Sequence, residues 1–116
     1  VAEQDGEIVG HVAFSPVQID GREVRWYGLG PVAVRPDRQR QGIGVRLIET
    51  GIDQIKSLRA AGCVVLGDPG YYSRFGFKAD PALSFPGVPP EYFQSLKLGN
   101  EALEGVVVYH QAFYGA

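Results

Sequence analysis

A stretch rich in glycine and arginine stands directly before an amphipathic helix, and it limits the possible folds more than any other feature. It reads RPDRQRQGIG, from Arg35 to Gly44, and we call it the glycine-arginine loop. The segment after it predicts a helix from about Ile43, with Gly62 as its terminator, because apolar residues recur there at helical spacing. The residues on that apolar face are Leu47, Ile48, Gly51, Ile52, Ile55 and Leu58.

The beginning of this helix predicts a binding site for an anion. The first turn of a helix carries unpaired backbone N–H groups and a partial positive charge. Gly42 and Gly44 would let a ligand approach the backbone without a Cβ in the way. The arginines add positive charge and paired donors. The glycine-arginine loop therefore predicts a site that holds phosphate.

The segments on either side of the loop predict a mixed α+β fold. Alternating runs rich in β-branched and aromatic residues predict strands near residues 1–4, 8–17 and 23–34, with Asp-Gly turns between them. The continuous apolar run CVVLG at 63–67 predicts a buried parallel strand, in which Cys63 packs. Strand, helix and strand then form a right-handed βαβ unit. Gly28, Gly30 and Pro31 predict a bulge or bend ahead of the helix.

The second half of the chain predicts a short helix and a closing hairpin. Asp68 can cap a helix that begins at Pro69, and Gly76 can adopt the left-handed conformation that ends it, so this helix spans about 69–75. The rest predicts a loop, a turn of helix near 90–95 and a hairpin that includes 106–110.

Composition narrows the class of protein. We expect one domain over residues 1–116, with hydrophobic residues at 45% and charged residues at 21% as in ordinary globular chains. The single cysteine indicates a reducing compartment, so a cytoplasmic location is expected. No run is long enough for a membrane span, and no spacing of His, Cys or acidic residues indicates a metal, so neither is expected.

The charge distribution favours a small polyanion as ligand. The net charge is −2, which argues against a nucleic-acid partner. Six of the eleven basic residues nevertheless lie between positions 22 and 46. Such a local basic zone suits a small phosphorylated ligand better than a duplex, although a plain solvated surface also explains it.

Two motifs together resemble a known family. The dinucleotide fingerprint fails because Leu47 stands at its third glycine, and the Walker pattern is absent. Gln39-x-x-Gly42-x-Gly44 resembles the pyrophosphate-binding motif of the GNAT family of N-acetyltransferases. YYSRFGF is similar to their Tyr-x-x-x-Gly-Phe pattern, with Tyr72 at the tyrosine. The run VVLGDPGYYSRFGF further resembles a bacterial branch of these acetyltransferases.

The resemblance implies a fold and a co-substrate. The fold is that of the GNAT-like acyl-CoA N-acyltransferases, a mostly antiparallel twisted sheet with a central βαβ unit and splayed parallel strands. Acetyl-CoA is the implied co-substrate, its pantetheine arm paired with backbone of the bent strand as an added strand. Arg35, Arg38 and Arg40 all stay open as ligands of its 3′-phosphate. The implied cofactor-binding residues are Val32, Val34, Arg35, Gln39, Arg40, Gln41, Gly42, Ile43, Gly44 and Val45.

The resemblance also implies a reaction. A primary amine, on a small molecule or a peptide, would attack the thioester directly, and Tyr72 would protonate the departing thiolate. The N–H of Val34 would hold the oxyanion, and Tyr71 is expected to pack. Many relatives place a glutamate on the bent strand, but WYGLGPVAV has no acid and Glu23 lies too early. The base therefore stays open among a water chain, His11 and a residue upstream of Val1.

Alternatives remain at this stage. The missing base motivates a non-catalytic acyl-CoA-binding sensor or regulatory domain. A nucleic-acid binder is weaker, and His11 and His110 are more simply ordinary histidines than catalytic ones. Because the chain opens within a strand at Val1, we expect the strand and helices with which the family begins to be missing from this sequence. A homodimer is possible.

Overall fold

The architecture is a twisted mixed sheet with one long helix on one face. The computed structural model describes residues 1–99 and 104–109. The helices are α1 (Ile43–Ser57) and α2 (Pro69–Tyr72), and short 3₁₀ turns lie at Pro36–Arg38, Ser73–Phe75 and Pro90–Tyr92. The strands are β1 (Ala2–Gln4), β2 (Glu7–Ile19), β3 (Arg22–Val34), β4 (Gly62–Leu66), β5 (Leu83–Ser84), β6 (Phe93–Lys97) and β7 (Gly105–Tyr109).

The order of the strands confirms the predicted mixed sheet. Across the sheet it is β5-β7-β2-β3-β4-β6, and β1 pairs with β2 outside this path. The β3–β4 and β5–β7 pairs are parallel, and the other pairs are antiparallel. The parallel β3–β4 pair, with α1 between its strands along the chain, is the predicted βαβ unit.

The two parallel strands separate halfway along β3. They pair from Trp26 with Gly62 to Leu29 with Val65. Beyond Leu29, β3 continues to Val34 with β2 alone as its partner, whereas β4 ends at Leu66 beside β6. The β2–β3 register shifts between Val12 and Phe14, opposite this point, which is the predicted bulge. The sheet therefore opens into a splay that extends from Leu29 to the glycine-arginine loop.

Two apolar layers hold the sheet, one on each face. On the α1 side, Ile48, Ile52 and Ile55 pack against Leu29, Cys63, Val65 and Phe77. On the other side, Trp26 and Val64 pack with Phe93, Val107 and Tyr109. Burying an aliphatic side chain of this size contributes about 1.5–3 kcal/mol. The α1 layer fixes the helix, and with it the position of the helix N-terminus, against the splayed strands.

The end of α1 differs from the prediction. The helix ends at Ser57, so Leu58 lies past the apolar face and is 65% exposed. Gly62 does not terminate the helix, because it is the first residue of β4. A Cβ there would lie 2.5 Å from the ring of Trp26, so the glycine serves close packing instead.

The strands near the C-terminus pair with distant parts of the chain. The turn of helix expected near 90–95 covers only Pro90–Tyr92, and strand β6 begins at Phe93. β6 pairs with β4 and β7 pairs with β2 and β5, at opposite ends of the sheet. The two strands therefore do not pair with each other, and the closing hairpin stays a prediction. Residue 110 of the predicted hairpin lies outside the described residues.

Candidate active site at the splay

The splay exposes one backbone edge of β3. The N–H of Arg35 donates to the carbonyl of Val9 at 2.7 Å, and Ala33 stands opposite His11 on β2. Because backbone groups alternate along an antiparallel ladder, those of Val32 and Val34 point the other way, into the gap between β3 and β4. We call this the open edge of β3. An extended ligand can pair with it as an added strand.

The first part of the glycine-arginine loop is held by its own side chains. The guanidinium of Arg35 bonds Glu7 at 2.8 Å and Asp37 at 2.9 Å, and these carboxylates raise its pKa. The amide of Gln39 donates to the carbonyl of Val34 at 3.2 Å. Arg35 and Gln39 thus shape the loop. Within the described residues, the exposed side chain of Arg40 forms no ion pair.

The second part of the loop presents the N-terminus of α1. Gly42 lies just before the helix with φ of +79° and gives it no side-chain cap. The first helical bond runs from the N–H of Arg46 to the carbonyl of Gly42, at 3.1 Å. The N–H groups of Ile43, Gly44 and Val45 therefore have no carbonyl partner within the helix. A Cβ at Gly42 would meet nothing within 4 Å, so no other described residue crowds the loop at this point.

An aromatic cluster forms the opposite side of the splay. Tyr72 packs edge-on to Tyr71 at 5.0 Å between ring centroids and to Phe77 at 6.1 Å. Its ring lies over Gly67, where a Cβ would come within 2.5 Å of it. Burial raises the pKa of Tyr72 above 10.0, and Tyr71 adds to the shift. Tyr72 is therefore a neutral phenol, able to donate a proton, throughout the neutral pH range.

A buried glutamine, absent from the sequence prediction, supports the turn beneath Tyr72. Gln94 on β6 is only 1% exposed, and its side-chain amide donates to the carbonyl of Gly67 at 3.0 Å. Asp68 then caps α2, its carboxylate accepting the N–H of Gly70 at 2.8 Å, as predicted. The supporting role of Gln94 follows from its position opposite Val65 in the β4–β6 pair. The sequence alone does not show that these two strands pair.

Tyr71 connects the two sides of the site. A Cβ built at Gly44 would lie 3.4 Å from the Tyr71 hydroxyl and 3.8 Å from the side chain of Val34. Tyr71 therefore extends from α2 across the splay to the first turn of α1. The sequence predicts packing for Tyr71, and its ring does pack. The position of its hydroxyl beside Gly44 depends on how α1 and α2 lie relative to each other, and no local sequence pattern shows that arrangement.

Cys63 and Glu23 lie outside the open edge of β3, whereas His11 stands opposite Ala33 beside it. Cys63 packs as predicted, and burial raises the pKa of its thiol to about 12. His11 is exposed on β2, and the backbone of Glu23 pairs with Gln18 at the far end of β3. In residues 1–99 and 104–109, no three His, Cys, Asp or Glu side chains are grouped to hold a metal. No helix of this part is long and apolar enough to cross a membrane.

A groove of about 580 Å³ runs between β1, β2 and α1. Phe14, Tyr27 and Thr50 are among the residues that line it. Of the residues implied to bind the cofactor, it includes Ile43 alone. The groove thus shares Ile43 with the glycine-arginine loop and otherwise lies outside that loop.

Relatives of this chain agree with the geometry. A family model described as an acetyltransferase (GNAT) domain matches residues 1–79. The protein named uncharacterized N-acetyltransferase YhbS, from Escherichia coli K12, is 38% identical over 96% of this chain and 70% of its own length. The E. coli protein named uncharacterized N-acetyltransferase YjhQ is 35% identical over 79% of this chain and 51% of its own length.

Solved structures give the same result. A GNAT family acetyltransferase from Brucella melitensis, in complex with acetyl-CoA, superposes with a TM-score of 0.83 at 53% identity. E. coli YhbS in complex with CoA superposes with a TM-score of 0.87 at 35% identity. Both matches cover 97% of this chain, which spans 66% of the length of each solved chain. The sheet, the motifs and these relatives together show that the chain belongs to the GNAT acetyltransferase family.

Proposed function

We propose that this chain transfers an acetyl group from acetyl-CoA to a primary amine on a small molecule or a peptide. The observation that carries the proposal is the alignment of the open edge of β3 with the uncapped first turn of α1. Together they offer a strand partner for an amide-containing arm and, beside it, donors for phosphate. The acetyl-CoA and CoA held by the two similar solved structures support this choice of co-substrate.

Each part of acetyl-CoA has matching groups in this proposal. The backbone of Val32 and Val34 pairs with the pantetheine arm. The amides from residue 40 to residue 45 take the pyrophosphate, with the side chains of Gln39 and Arg35 holding the loop. Arg40 is the best ligand for the 3′-phosphate, because Arg35 is already paired with Glu7 and Asp37, and Arg38 pairs with Asp37 at 3.9 Å. The full proposed set is Val32, Val34, Arg35, Gln39, Arg40, Gln41, Gly42, Ile43, Gly44 and Val45.

The chemistry proposed for Tyr72 follows from its neutral phenol. The neutral amine attacks the carbonyl carbon of the thioester, and the C–N bond forms as the C–S bond breaks. The N–H of Val34 stabilises the charge on the carbonyl oxygen, and Tyr72 gives its proton to the departing thiolate. The strand segment WYGLGPVAV has no acid, so we propose that water removes the proton of the amine. The reaction fits a cytoplasmic location, where the thiol of Cys63 stays reduced.

Replacing Tyr72 by phenylalanine tests this function. In an assay of thiol release from acetyl-CoA with a panel of primary amines, Tyr72→Phe should lower kcat about 100-fold and leave the Kd for CoA unchanged. Tyr92→Phe is the matched control, since that ring is 44% exposed at the surface. The kcat of the unmodified chain should fall as the pH rises through the raised pKa of Tyr72, above 10.0, because the donor is then ionised.

The competing function is an acyl-CoA sensor without turnover, which the lack of an acid in WYGLGPVAV favours. Tight binding of acetyl-CoA without thiol release for any amine would support the sensor. A Tyr72→Phe variant with the full rate would contradict the role of Tyr72 as proton donor. Failure of the unmodified chain to bind CoA would contradict both functions.

A further inference from the structure

We propose that Tyr71 is a second phosphate-binding group, whose hydroxyl donates a hydrogen bond to the pyrophosphate of the cofactor from the α2 side of the splay. The inference rests on the proposed function and deepens it. It gives the two adjacent tyrosines different roles: Tyr71 binds the cofactor and Tyr72 protonates the thiolate.

The position of the hydroxyl relative to α1 is the first argument. Gly44 is the second residue of α1, and its N–H is one of the donors that have no partner within the helix. The Cβ position of Gly44 lies 3.4 Å from the Tyr71 hydroxyl. The phenol therefore lies beside this amide, where a phosphate oxygen bound to the N–H can reach it for a second hydrogen bond. Within the described residues the Tyr71 hydroxyl donates to no protein acceptor, so a bond to phosphate would not replace an existing one.

The rigidity of the ring is the second argument. Tyr72 and Phe75 flank it, at 5.0 Å and 5.8 Å between ring centroids. The guanidinium of Arg74 lies 4.4 Å from the ring centroid, and its Nε donates to the carbonyl of Tyr71 at 3.0 Å. A side chain already fixed in place loses little conformational entropy when it binds a ligand.

Arg74 adds charge to the same wall. In residues 1–99 and 104–109 it forms no ion pair with a carboxylate. Its charge above the ring of Tyr71 therefore raises the positive potential on the α2 side of the splay. The phosphate site then has two walls, the amides of α1 on one side and the Tyr71 hydroxyl with Arg74 on the other.

The two tyrosines cannot exchange roles. Neighbouring residues in a helix point about 100° apart. The Tyr71 hydroxyl accordingly lies by Gly44, whereas the ring of Tyr72 lies over Gly67 and Phe77. Removing one hydroxyl at a time should therefore affect binding and turnover separately.

The test measures Kd by calorimetry, with CoA and dephospho-CoA, and KM and kcat with acetyl-CoA. Tyr71→Phe should weaken both ligands by about ten-fold or more, because both carry the pyrophosphate. It should raise the KM for acetyl-CoA to a similar degree and leave kcat and the thermal stability of the free protein unchanged. Tyr72→Phe should show the reverse, a lower kcat at an unchanged Kd.

A second variant tests the space between the hydroxyl and the helix. Gly44→Ala places a methyl group there at ordinary contact distances, so the free protein should fold normally while CoA binds more weakly. A wild-type Kd in Tyr71→Phe would overturn the inference and leave the proposed function standing. If the unmodified chain binds no CoA, the proposed function falls, and this inference with it.

Discussion

The two halves of β3 have different surroundings. From Tyr27 to Leu29 the strand pairs with β2 on one side and β4 on the other, and Leu29 is only 3% exposed. From residue 30 to residue 34 it pairs with β2 alone. The segments WYGL and GPVAV are both mostly apolar, so hydrophobicity alone does not distinguish the halves. The open edge of β3 arises because its pairing with β4 ends at Leu29.

The N-termini of the two helices also differ, in whether a side chain caps the first turn. α2 is preceded by Asp68, whose carboxylate accepts an N–H of the first turn of that helix. α1 is preceded by Gly42, which offers the first turn of its helix no side-chain acceptor. One helix N-terminus is neutralised by the chain itself, and the other is left available to an anion from outside. The residue before each helix thus decides whether the first turn is capped by the chain or left open to an anion.

Replacing a core residue beside the paired half of β3 should have the largest effect on stability. Ile48 is fully buried against Leu29 and Val65, so Ile48→Ala should lower the free energy of unfolding by about 2–5 kcal/mol. A smaller truncation on the open half, Val34→Ala, removes fewer buried atoms and should cost less than about 1 kcal/mol. Urea unfolding of both variants measures this contrast. Equal costs would show that the two halves do not differ in the way described.

A smaller effect should separate the arginines of the glycine-arginine loop. Arg40 has no ion pair among the described residues, so Arg40→Gln should weaken CoA binding about ten-fold through the 3′-phosphate. Binding of dephospho-CoA, which lacks that phosphate, should not change. Arg35→Gln is the comparison, because Arg35 is held by Glu7 and Asp37. A selective loss of CoA affinity in Arg35→Gln instead would transfer the role to that residue.

Local signals in the sequence predict the binding half of the molecule well. The apolar period of α1 and the glycines of the loop both act within a few residues, so the βαβ unit and the uncapped helix are visible without coordinates. Contacts between distant segments are not. The pairing of β6 with β4, the buried amide of Gln94 and the reach of Tyr71 to Gly44 all depend on where strands and helices meet. Gly62 shows the same limit, since it packs against Trp26 and does not end α1.

The most direct test of the account is thermal unfolding with and without saturating acetyl-CoA, for the unmodified chain, Gly42→Glu and Gly21→Glu. Gly42 and Gly21 share a left-handed φ, +79° and +74°, with no atom near their Cβ positions, so both substitutions strain the backbone alike. Acetyl-CoA at about 100 times its Kd should add about 2.7 kcal/mol of stability, a shift of several degrees, to the unmodified chain and to Gly21→Glu. Gly42→Glu, with a carboxylate at the first turn of α1, should show no shift. An equal shift in Gly42→Glu, or none in the unmodified chain, would contradict the claim that this loop holds the cofactor.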